Sequence, residues 1–202
     1  MIKNIVFDIG DVLIEYRWRD MLAEYGLEEN RINEVGIKMF ENPLWKKLDL
    51  GEVSLKEAIA EYQRLYPEEA ETISWFLNHA ERMSVQRPRV WERMKTLKEL
   101  GYHLYLLSNY SKDLLETHTK NVNFYQHIEG GVISYQIGKL KPEAAIYECL
   151  LQKYHLQAEE CLFFDDRAEN VEGAIKVGMQ SIQVLSQEQL IKELDLIIQK
   201  VQ

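Results

Sequence analysis

The chain has 202 residues, 46% hydrophobic and 28% charged, with 4 Pro and 10 Gly. That composition fits one folded catalytic unit, or one core carrying a small inserted module, and excludes a disordered chain. A formal charge of −9 excludes the Lys- and Arg-lined surface that neutralises nucleic-acid phosphates, and the absence of any run near the roughly 18 apolar residues of a membrane span excludes a spanning helix.

In chain order, Ile2 to Phe7 is a β-rich apolar run that ends in Asp8-Ile9-Gly10-Asp11, the pattern of a buried strand emerging into a loop. From Trp18 to about Met83 helix formers dominate. Ser54 and Glu57 make a capping box, Pro67 marks a new helix start, and no strand is expected there. After Arg87-Pro88 a helix runs to Leu100 and stops at Gly101, and His103 to Leu107 reads as a strand ending at Ser108. A helix near Lys112 to Lys120, a short segment Gly131 to Tyr135 and a helix after Pro142 follow. Strand Cys161 to Phe164 then enters Asp165-Asp166, helix Glu169 to Val177 ends before Gly178, strand Ser181 to Leu185 follows, and a helix over Gln187 to Gln199 closes the pattern.

Strands alternating with helices imply an α/β fold, a Rossmann-like parallel sheet covered on both faces. The helical stretch interrupts that alternation after the first strand, so it reads as an inserted all-helical cap over 15–86, with the core formed by 1–14 and 87–202. Cys149 and Cys161 sit in apolar stretches without a CxxC pair; buried free thiols in a reducing compartment are expected. The start has no leader pattern, and a cytoplasmic protein with no membrane partner is expected.

Ligands of open parallel sheets bind outside the carboxyl ends of the strands. Asp8, Ser108-Asn109 and Asp165-Asp166 each follow a strand, and Lys141 precedes a helix-starting proline. Each alone is commonplace, since strand-ending Asp residues cap helices and Lys-Pro opens them. Their order along the chain is what carries meaning.

The stretches IVFDIGDVLIEY, LYLLSNYS, SYQIGKLKPEAAIYECLL and CLFFDDRAENVEGA resemble, in order and over nearly the whole chain, the motifs of haloacid dehalogenase superfamily hydrolases with a helical cap after the first strand. The resemblance implies a phosphatase acting on a small-molecule phosphate ester with Mg2+ as cofactor. Asp8 would be the nucleophile that forms an aspartyl phosphate, Ser108 and Asn109 would hold phosphate oxygens, and Lys141 would neutralise charge and steady Asp8. Asp8, Asp166 and the Gly10 carbonyl would serve the metal, with Asp165 oriented beside them and Asn170 as a support. The electrostatics agree, because a carboxylate attacking a phosphate dianion needs a divalent cation and a lysine to offset repulsion, and magnesium suits an oxygen-only site.

One departure stands out. The family's usual loop carries a second aspartate two positions after the nucleophile, where it protonates the leaving group and activates water; here that position is Gly10. Asp11 is the candidate substitute, although a shift of one position turns the side chain elsewhere. A similar loop occurs in the branch of bacterial α-glucose-1-phosphate phosphatases, the nearest resemblance, and an anomeric oxygen leaves with less help from an acid. In the cap, Arg17, Trp18 and Trp45 are the candidates for contact with substrate; a Trp on an amphipathic helix more commonly belongs to the core. The alternatives are a metal-independent 2-haloacid dehalogenase and a phosphate-binding regulatory protein that has lost turnover. No dinucleotide or Walker loop is present, and both monomer and dimer remain compatible.

Overall fold

The computed structural model describes residues 1–200; Val201 and Gln202, at the end of the expected core segment, lie outside it. The chain opens with β1 (Asn4–Phe7), buried along its whole length, and β2 (Ile14–Tyr16). Five helices follow: α1 (Trp18–Glu24), α2 (Glu29–Phe40), α3 (Pro43–Asp49), α4 (Leu55–Leu65) and α5 (Ala70–Asn78). β3 (Ser84–Gln86) then returns antiparallel to β2. The remainder alternates through α6 (Pro88–Glu99), β4 (His103–Ser108), α7 (Lys112–His118), β5 (Gly130–Ile133), α8 (Ser134–Ile137) and α9 (Ala144–Lys153). It closes with β6 (Cys161–Asp165), α10 (Ala168–Lys176), β7 (Gln180–Gln183) and α11 (Gln187–Gln199).

The main sheet has five parallel strands in the order β5-β4-β1-β6-β7. Side-chain alternation divides its strands between two clusters. Ile5, Phe7, Leu104, Leu106, Leu162 and Phe164 pack with Val90, Met94, Leu97, Leu190 and Leu194 of α6 and α11. Val6, Tyr105, Leu107, Val132 and Phe163 pack with Ile146, Tyr147, Leu150 and Ala174 of α9 and α10. Both faces are therefore covered, which is why these strands read as continuous apolar runs. Cys161 is buried on β6 and Cys149 partly buried on α9, and both are free.

β1 lies at the point where strand order reverses, with the chain running to β4 and β5 on one side and to β6 and β7 on the other. The crevice at its carboxyl end is thus the topological place for a ligand. The helical insert brings its own apolar residues, including Met21, Val35, Met39, Tyr62 and Phe76, which are continuous with the core cluster. The Ser54/Glu57 capping box is formed, with Glu57 N–H donating to Ser54 Oγ and Ser54 N–H donating to the Glu57 carboxylate.

Two elements differ from the sequence reading. The stretch read as wholly helical has short strands at both ends, since β2 and β3 pair Ile14 with Gln86 and Tyr16 with Ser84. Three residues on each side are too few to leave a period-2 signal. The last strand begins and ends earlier than expected, because Val184 N–H bonds to the Asp165 carbonyl and the chain then turns outward, leaving Leu185 76% exposed.

Candidate active site

Asp8 follows β1 directly, and its N–H donates to the Phe164 carbonyl at 2.9 Å, which fixes the nucleophile candidate against β6. The next residues double back: Leu13 and Ile14 N–H groups donate to the Ile9 carbonyl. Asp11 takes a left-handed conformation, φ 51°, which Asp tolerates better than most side chains. Its Oδ1 accepts from Tyr16 N–H at 2.9 Å, so one carboxylate oxygen closes this loop. Arg87 and Trp91, at the start of α6, donate to the carbonyls of Asp11 and Leu13 at 2.5 and 2.7 Å. The loop is held from both sides.

Lys141 is buried and its ammonium is the centre of the site. It lies 2.9 Å from Asp8 Oδ1 and 2.6 Å from Asp165 Oδ2, and it donates to the Leu107 carbonyl at 2.9 Å. Burial alone would lower the ammonium's pKa, but Asp165 and Asp8 outweigh it and hold Lys141 above its usual value. The Asn109 side chain grips the Lys141 backbone at both ends, accepting from its N–H at 2.8 Å and donating to its carbonyl at 3.0 Å. Asn109, expected on phosphate, thus works on the placement of the lysine.

Asp165 has a partner on each oxygen. Oδ2 takes Lys141, while Oδ1 accepts from Arg167 N–H and from Asn170 Nδ2, both at 2.9 Å. Asn170 is therefore the support of Asp165. Carboxylate oxygens of Asp8, Asp165 and Asp166 lie within 4.8 Å of one another, close enough for this triad to hold a metal ion. Burial first, and then the neighbouring acids, push Asp166 upward; burial likewise raises Asp8 against the pull of Lys141. Three acids crowded this way are relieved by a divalent cation, and an all-oxygen donor set suits magnesium. The Gly10 carbonyl accepts no hydrogen bond from any described residue, which leaves it free as a further oxygen donor.

Ser108, at the end of β4, is buried beside Asp8, and its hydroxyl has no aligned hydrogen-bond partner; the same holds for Ser111 Oγ. An orphaned buried hydroxyl beside the nucleophile, as at Ser108, is what an incoming oxyanion would satisfy.

The insert contributes a residue that sequence reading missed. Asp49 is the last residue of α3, and burial and then the Asp8 charge push its carboxyl up to about 7. Its carbonyl accepts from Ser134 Oγ at 2.5 Å, pinning α3 to the end of β5. A helix-ending Asp before Gly51 carries no signal of this placement in the sequence. The three cap candidates have partners within the insert. Arg17 is paired with Glu24, and Trp18 and Trp45 both pack on Phe40, with ring centroids 5.1 and 4.7 Å apart. Both Trp residues therefore sit in an aromatic cluster of the insert itself.

The family model for haloacid dehalogenase-like hydrolases matches residues 2–178. The chain is 24% identical over 198 residues to D-ribitol-5-phosphate phosphatase of Bacteroides thetaiotaomicron, covering 91% of this chain and 92% of that one. Two longer curated matches are spanned over only 34% and 19% of their length. Among solved structures, a HAD-like family hydrolase from Porphyromonas gingivalis superposes with TM-score 0.75 at 23% identity, over 98% of each chain. A HAD family enzyme from B. thetaiotaomicron in complex with magnesium and inorganic phosphate superposes with TM-score 0.71 at 21% identity, over 91% of this chain and 94% of that one. No helix among the described residues is long and apolar enough to cross a membrane.

Proposed function

The chain belongs to the haloacid dehalogenase-like hydrolase family, and from that premise we propose that it is a magnesium-dependent phosphatase of small phosphate monoesters, sugar phosphates foremost, acting through an aspartyl phosphate on Asp8. The observation that carries this reading is the Lys141 ammonium lying between Asp8 and Asp165 beside the acidic triad. One named activity, on D-ribitol 5-phosphate, belongs to a relative and supports the substrate class.

In this mechanism Asp8 Oδ attacks phosphorus, the bond to the leaving-group oxygen breaks, and Asp8 carries the phosphoryl group until water displaces it. Lys141 offsets charge on the phosphoryl oxygens and keeps Asp8 aimed. The Ser108 hydroxyl, buried beside Asp8 without an aligned partner, donates to those oxygens. Asn109 acts through the lysine, and Asp165 through its hydrogen bonds to Lys141 and Asn170. Magnesium, held by Asp8, Asp166 and the Gly10 carbonyl, would supply Lewis-acid stabilisation of the phosphoryl oxygens. Because Gly10 offers no acid to the leaving group, sugar 1-phosphates, whose anomeric oxygen departs readily, are the favoured substrates, in keeping with the α-glucose-1-phosphate phosphatase branch.

The triad disfavours a metal-independent 2-haloacid dehalogenase, for which a third clustered acid such as Asp166 has no use. Gly10 favours one competitor, a phosphate-binding protein without turnover. The deciding experiment is phosphate release from sugar 1-phosphates, primary sugar and polyol phosphates and an aryl phosphate, with magnesium or chelator, for the parent and Asp8→Asn. Magnesium-dependent release that Asp8→Asn reduces at least about 10³-fold is expected. Phosphate binding without turnover on any substrate would establish the competitor instead.

A further inference from the structure

Position 10 is not merely empty; it is filled by another residue. A Cβ built on Gly10 would lie 2.4 Å from Tyr16 Cε2 and 2.9 Å from both Cζ and the hydroxyl oxygen. No side chain fits there while Tyr16 keeps its place. The phenol therefore stands two residues from Asp8, at the spot from which a side chain of residue 10 would start.

The hydrogen-bond direction at this phenol is set from the far end. The Ala80 carbonyl only accepts, so His118 Nε2, 2.9 Å away, carries the ring proton. Burial lowers His118 to about 4, so the ring is neutral and Nδ1 is an acceptor. Tyr110 donates its hydroxyl proton to that nitrogen at 2.7 Å. Toward Tyr16, whose ring meets its own edge-on with centroids 6.2 Å apart, the Tyr110 oxygen then has only lone pairs to offer. With no donor on the Tyr110 side, the Tyr16 oxygen, 2.9 Å from the Cβ position of Gly10, keeps lone pairs free toward the nucleophile loop.

We propose that Tyr16 Oη is a fixed hydrogen-bond acceptor that orients the water which hydrolyses the aspartyl phosphate on Asp8, with Tyr110 and His118 as positioning residues behind it. This rests on the phosphatase reading given above. The water oxygen forms a bond to phosphorus as the bond from phosphorus to Asp8 breaks, its electron pair returning to the carboxylate. One water proton stays on the new hydroxyl and the other passes to a phosphoryl oxygen, so the products are the Asp8 carboxylate and dihydrogen phosphate. Tyr16 neither gains nor loses a proton. Asp11 is less suited, since one of its oxygens is bound to Tyr16 N–H.

The test separates the two half-reactions. With p-nitrophenyl phosphate and magnesium, rapid quench follows nitrophenol release, which reports phosphorylation of Asp8, and phosphate release, which reports its hydrolysis. Tyr16→Phe is expected to leave nitrophenol release within about twofold and to slow phosphate release roughly tenfold or more, the loss of about one hydrogen bond at the reacting water. Phosphate release unchanged, or both steps slowed alike, overturns the inference and leaves the phosphatase reading standing. Absence of magnesium-dependent release from the parent brings down both. A melting experiment tests the shared space without reference to activity. Gly10→Ala should lower Tm by about 4 °C or more in the parent and by little in a Tyr16→Ala background, whereas equal losses in the two would overturn the placement.

Discussion

His118 shows how one buried side chain ties stability to pH. Its folded pKa of about 4 lies below its ordinary 6.5, so between those values the unfolded chain binds the proton that the folded chain refuses. The contribution is complete above pH 6.5 and is lost as pH falls toward 4, amounting to about 3 kcal/mol. Denaturant midpoints measured from pH 7 to 4 should fall along this window, and His118→Gln should flatten the slope; an unchanged slope would assign the acid loss to other groups. At this scale the sequence was readable wherever a residue sits at a strand end. Asp8, Ser108, Asp165 and Asp166 converge because the sheet brings those ends together, and the loop before α9 adds Lys141 to them. Asp49 and Tyr16 were not readable, because one is delivered by packing of the insert and the other by the absence of a side chain at Gly10. Trp18 and Trp45 drew attention by type, yet their neighbour is Phe40.

At the scale of elements, capping and strand alternation were legible because both are local. Ser54 and Glu57 announce the start of α4 within four residues, and the reciprocal bonds are present. Ser54→Ala should cost about 1 kcal/mol, read as a lower denaturant midpoint with unchanged m; a changed m would point to a loosened native state instead. That helix start is also tied to the core, since Leu55 N–H donates to Asp113 of α7 at 2.9 Å. The ribbon of β2 and β3 was not legible, because its two short partners meet only once the insert has folded back. Arg87 and Trp91 then fasten this junction through the carbonyls of Asp11 and Leu13. These contacts make the strand ribbon a firm base for the catalytic loop.

For the whole molecule, the insert and one face of the sheet share a single apolar cluster, so they should unfold together. Of the four tryptophans, Trp18, Trp45 and Trp75 lie on α1, α3 and α5, and Trp91 lies on α6. Tryptophan fluorescence thus reports mainly the insert and far-UV circular dichroism the whole chain. Coincident denaturant transitions are expected by the two probes; an earlier fluorescence transition would mean that the insert melts as a separate unit. The central place of β1 has a further consequence in time. Its partners in register are His103–Leu106 and Cys161–Phe164, so during synthesis the first strand is made long before either neighbour exists. The helices that follow it are complete first, and contacts this distant in sequence form slowly. The strand leading to the nucleophile therefore waits with both edges unpaired until β4 emerges, and it gains its second neighbour only with β6. Translation that stalls between those two strands would leave an apolar edge open to other chains.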